Sequence, residues 1–132
     1  MKYWLLGFVV CLLVGCNKID SHYYWRNPSK LKQAMSSCPN KQPAGVTCDE
    51  LTVIANKFSY LAAALKQNPQ LFGLHIIAMQ QNISEQEKQL TKKHDDKLAM
   101  DLKQDKQTLA EYLAVVSYYE SPIGVRDEDS GQ

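Results

Sequence analysis

At 132 residues the chain has room for one folded domain and no more. Its 15 basic and 14 acidic side chains leave a formal net charge of +1, so the basic surplus that marks a nucleic-acid binder is missing and no nucleic-acid partner is expected.

The first element is an apolar run. After one positive charge at Lys2, the chain continues from Trp4 to Val14 without a charged side chain. That span matches the 7–15 residues of a secretory h-region and falls short of the roughly 20 that a membrane-crossing helix needs. It ends in Leu13-Val14-Gly15-Cys16, which resembles the lipobox of bacterial lipoproteins. The resemblance implies that residues 1–15 are a signal peptide and that Cys16 becomes the first mature residue, its thiol carrying fatty-acyl chains of the palmitate type. Two or three chains at about 0.8 kcal/mol per buried methylene would hold the protein in a membrane permanently. Cys11 is discarded with the leader, where it serves as a small hydrophobe. Asn17, in place of Asp, points to the outer membrane, with the body facing the periplasm.

With the leader gone, Lys2 is lost and 14 basic residues stand against 14 acidic ones. Of the four cysteines, Cys38 and Cys48 then remain alone in an oxidising compartment, and a disulfide is expected between them. Zinc is the competing reading. Neither a His nor a second Cys pair stands at ligand spacing, so no metal site and no cofactor is expected.

Residues 16–26 read as a lipidated tether that carries an aromatic cluster, Tyr23-Tyr24-Trp25-Arg26, and residues 27–121 as a helical domain. Asn27-Pro28 is a helix start, with Asn as cap and Pro at the first helical position, where its missing N–H is not needed. Leu31, Ala34, Met35 and Cys38 then share one face of a helix ending near Ser37. Two prolines and a glycine make residues 39–46 a loop. Thr47-Cys48-Asp49-Glu50 has the form of a capping box, followed by Leu51, Ile54, Ala55, Phe58, Leu61, Ala62 and Leu65 at helical period to about Lys66. The disulfide would clasp these two helices into a hairpin.

Asn68-Pro69 starts a third helix, to about Gln81. Its apolar residues Leu71, Phe72, Leu74, Ile76, Ile77 and Met79, with His75 among them, lie nearly all round, so it is expected to be buried on several sides. A second capping box, Ser84 to Glu87, opens a polar helix that could reach Tyr119, a rod on the order of 50 Å. Its narrow stripe of Leu90, Leu98, Leu102, Leu109, Leu113 and Val116 suits projection or self-association. Residues 122–132 are expected to be a disordered tail. The fold class is all-α.

Chemistry is sparse. No phosphate-binding loop, nucleophile elbow or metalloprotease motif occurs. His75 reads as a partly buried core residue, His94 as part of a solvated charged face and His22 as part of the tether. No nucleophile with an oriented base can be assembled, so no catalytic residue is expected. The aromatic cluster is the remaining candidate. Tyr and Trp combine an apolar body with a polar tip, which suits packing beneath the disulfide hairpin, a bilayer interface or a protein contact.

Taken together, the lipobox, Tyr23-Tyr24-Trp25-Arg26-Asn27-Pro28, the short amphipathic helix with Leu31, and the pair Cys38 and Cys48 resemble the EexN family of entry-exclusion lipoproteins from conjugative type IV secretion loci. The likeness covers about residues 1–58. It implies an envelope protein that blocks redundant conjugative DNA entry by binding a component of the transfer apparatus, with Tyr23, Tyr24, Trp25, Asn27 and Pro28 as candidate partner-binding residues. The long helix after Ser84 has no counterpart in that family. An accessory subunit of a secretion machine, or an envelope enzyme inhibitor, are the alternative readings.

Overall fold

A computed structural model of the chain describes residues 18–121. The leader with Cys11, the expected lipidation site Cys16, Asn17 and the tail 122–132 lie outside the described residues. Among the described residues five helices and no strand are found: α1 Ser21–Arg26, α2 Pro28–Ser37, α3 Cys48–Gln67, α4 Pro69–Lys92 and α5 Asp96–Glu120.

Helix α1 lies where a tether was expected. Asp20 caps it, its carboxylate accepting the Tyr23 N–H at 3.0 Å, and the helix buries Tyr24 and Trp25. Six residues are too few for a helix to hold by itself. Burial of these two rings against α3 and α5 is what secures it. Asn27 forms the joint to α2. Its backbone N–H bonds the Tyr24 carbonyl, its side-chain amide donates to the Tyr23 carbonyl at 2.8 Å, and Pro28 starts the next helix. Asn27 therefore closes α1 with its side chain while making no side-chain cap bond to α2.

Helix α2 contributes Leu31 to the core, with Ala34, Met35 and Cys38 packed alongside. The loop that follows brings Cys38 to Cys48, joined by a disulfide with Cα atoms 5.9 Å apart. It also folds back on the start of α1: Tyr24 Oη donates to the Ala44 carbonyl at 3.0 Å. Gly45 is the one described residue with positive φ, at 77°, and a Cβ there would overlap the Ile19 carbonyl. Only glycine fits both constraints.

The Thr47–Glu50 capping box forms as expected, with bonds of 3.1 and 2.7 Å, and starts α3. This helix is the centre of the body. It buries Leu51, Ile54, Leu61 and Ala62 and touches all four other helices. Asn68 alone separates it from α4, and its side chain accepts the Leu71 N–H at 2.9 Å.

The C-terminal half departs from the sequence reading. Ser84–Glu87 does not start a helix, because α4 runs straight through it to Lys92. The break comes at residues 93–95, where Asp95 accepts the Leu98 N–H and caps α5. In place of one long rod, two helices fold back antiparallel. Nor is α4 buried on several sides. Phe72 and Ile83 are buried, but Leu71, Leu74, Ile77 and His75 are exposed. Helices α3 and α5 cover one flank only, and no described element covers the other.

The base of this hairpin belongs to the core, through Phe72 against Tyr112, ring centroids 4.7 Å apart, and the fully buried Val115. Beyond Ile83 and Thr108 the two helices form an arm with little burial, and Lys57 of α3 faces its Met100, Lys103, Gln104 and Gln107 across a pocket. Asn82 and Gln86 both donate to Asp105 across the arm's seam, and Glu87 pairs with Lys106 at 2.6 Å.

Candidate interaction site

Packing α1 against α5 creates a concavity on the described body. It is a groove of about 870 Å³, between the α1–α2 joint on one side and the last three turns of α5 on the other. One wall is Trp25, Arg26, Asn27 and Pro28. On the other, α5 presents Ala110, Ala114 and Ser117, with its cap residue Ser121 beyond them, spaced by 4, 3 and 4, so small side chains recur on one helical face. Small side chains there leave the space between the two walls unfilled, while Leu113 and Tyr118 add apolar surface at the sides.

Trp25 is 6% exposed, and its ring packs on Phe58, 5.9 Å between centroids, which in turn meets Tyr118 edge to face at 5.6 Å. The wall is thus backed by an aromatic chain running through α3. Beneath the groove lies Glu111, 4% exposed, its carboxylate paired with the half-exposed Lys57 of α3. A buried carboxylate needs such a partner, and the pair ties α5 to α3 directly below the groove. Asp20, His22 and Arg26 add polar and charged groups to its lining.

The five aromatic and Asn-Pro residues singled out from the sequence divide between two places. Trp25, Asn27 and Pro28 line the groove. Tyr24, 4% exposed, turns instead to the Ala44 carbonyl, and Tyr23 meets it edge to face at 5.4 Å. The α5 wall escaped sequence reading. Its signal, small residues at helical spacing, is the one that also marks an ordinary helix contact.

The histidines come to no common site: His75 and His94 are exposed on separate helices, with His94 paired to Asp96 at 2.8 Å, and His22 lines the groove. Among the described residues no group of three His, Cys, Asp or Glu side chains could hold a metal ion. No described helix is long and apolar enough to cross a membrane. In comparison with known proteins, no family model matches the chain, and neither a curated protein nor a solved structure is significantly similar to it.

Proposed function

We propose that this chain is a lipid-anchored envelope protein that blocks redundant conjugative DNA entry by capturing a segment of the transfer apparatus in the groove between the α1–α2 joint and α5. The observation that carries this reading is the position of Trp25-Arg26-Asn27-Pro28. These residues are the core of the resemblance to entry-exclusion lipoproteins, and they form one wall of the groove. A mostly apolar lining with a few charged groups is the usual make-up of a site that takes up a short segment of a partner. The groove opens on the same short helix that follows Cys16, so an acylated Cys16 would hold it close to the membrane where an incoming apparatus arrives.

Expression in recipient cells tests the reading. Conjugation frequency from a related donor should fall, and Cys16→Ser, which cannot be acylated, should restore it. No fall with any related donor would remove the exclusion reading.

One observation favours a second reading, an accessory subunit of a secretion machine. The α4–α5 arm leaves the body and shows little burial beyond Ile83, a form suited to assembly. Loss of secretion on deletion, with co-purification of the core complex, would support it.

A further inference from the structure

Charge in the described body is divided along the chain. Residues 18–41 carry five cations, Lys18, Arg26, Lys30, Lys32 and Lys41, against one carboxylate, Asp20, for a net charge of +4. Residues 42–121 carry eight cations against ten carboxylates, a net charge of −2. All five cations of the first segment are exposed. None of them forms an ion pair with another described residue, whereas Lys57 and Lys106 of the second segment are paired with Glu111 and Glu87. The one carboxylate of the first segment is engaged in capping α1.

Folding brings the two ends of this segment to one place. The loop bearing Lys41 returns to the start of α1, where Gly45 abuts the Ile19 carbonyl and Ala44 accepts the Tyr24 hydroxyl. Lys18 and the Lys41 loop therefore share one end of the molecule. Of the second segment's carboxylates, Glu50 is engaged in its capping box, and Glu111, which shares the groove with Arg26, is paired with Lys57. Beside Lys18, Ile19 is 39% exposed, and Tyr23 is half-buried. Exposed cations next to an apolar side chain and a tyrosine are the make-up of a surface that meets lipid headgroups.

We infer that the α1–α2 surface with its returning loop is a docking face for an anionic phospholipid bilayer, laying the body against the membrane with α1 and α2 down. The inference rests on the proposed acylation of Cys16 for its cellular setting, since Lys18 would then stand two residues, about 7 Å of extended chain, from the anchor. The electrostatics themselves need no anchor. Each Lys or Arg close to an anionic surface is worth roughly five-fold in partitioning, and the attraction is screened by salt.

Every residue of the buried core lies between Tyr24 and Val115, so a chain starting at Asn17 retains it and can be tested without lipid. Sedimentation with vesicles of pure phosphatidylcholine, and with vesicles containing one third phosphatidylglycerol, separates the outcomes. Binding is expected to the anionic vesicles only and to vanish in 0.5 M salt. Lys18→Glu/Arg26→Glu/Lys30→Glu should weaken it by about 100-fold or more. The equally charge-changing Lys88→Glu/Lys92→Glu/Lys97→Glu, at the end of the arm, should change it by less than about three-fold, and circular dichroism checks that both variants fold. No binding to anionic vesicles, an equal loss from the arm variant, or tighter binding to duplex DNA than to vesicles would overturn the inference. Because the test protein is unlipidated, its result is independent of whether Cys16 is acylated, which the mass of membrane-extracted protein settles separately.

Discussion

Two single residues carry more of this structure than their size suggests. Gly45 combines a positive φ with contact to the Ile19 carbonyl, so Gly45→Ala meets an unfavourable backbone conformation and a backbone overlap together. A loss of about 2 kcal/mol or more is expected in urea unfolding, with the loop and α1 loosened. Unchanged stability would show that the loop does not hold α1. Glu111 is the second. Lys57→Met would strand a buried carboxylate, and because Lys57 is 47% exposed water can partly compensate, so about 1–2 kcal/mol is expected. Adding Glu111→Leu should recover most of that loss. A double variant no more stable than the single one would mean that the carboxylate serves something other than this pair.

Among the elements, the clasped α2–α3 pair and the α4–α5 arm depend on different forces. The disulfide closes a separation of ten residues, worth about 2.7 kcal/mol by chain entropy, and Cys38→Ser/Cys48→Ser should lower stability by about that much. An unaltered melting temperature would place the stabilisation elsewhere. The arm relies on its seam. Asp105 accepts bonds from both Asn82 and Gln86, so Asp105→Ala should speed amide exchange beyond Ile83 by about ten-fold and leave that of α3 unchanged.

The same elements show why some of the fold was legible in the sequence and some was not. The Thr47 box and the Asn68-Pro69 start are local chemistry, complete within four residues, and both formed as read. Ser84–Glu87 has the same pattern, yet the helix passes through it. A capping box permits a start, and only the end of the preceding helix makes one necessary. The true break used Asp95, hidden in a charged run. The seam of α5 was obscured because Asp105 and Thr108 occupy inward positions among Leu98, Leu102, Leu109, Tyr112 and Val115, interrupting the apolar period. Helix α1 was missed since six residues have no period to read, and its stability comes from where Tyr24 and Trp25 are buried.

At the scale of the whole molecule, one end gathers the start of α1 and the disulfide loop, with the exposed Lys18 and Lys41, and the arm leaves from the other helices. The groove runs along α1, between the part that would lie nearest a membrane and the C-terminal turns of α5. Of the candidate site, the Trp25-Asn27-Pro28 wall was legible as a motif, and the opposite wall required the fold, since nothing local brings residues 110–121 to residues 25–28. Groove and arm make distinct demands. If the groove captures a partner, filling it should abolish function without unfolding the protein, whereas trimming the arm should matter only for an assembly role.

The most direct test of the groove's role is conjugation frequency into recipients producing either the unaltered protein or Ala114→Trp, whose indole would occupy the space between the two walls. The unaltered protein should lower transfer from a related donor by at least ten-fold. Ala114→Trp, present in the membrane at equal amount, should bring transfer back to the level of cells lacking the protein. Equal exclusion by both would contradict a role for the groove.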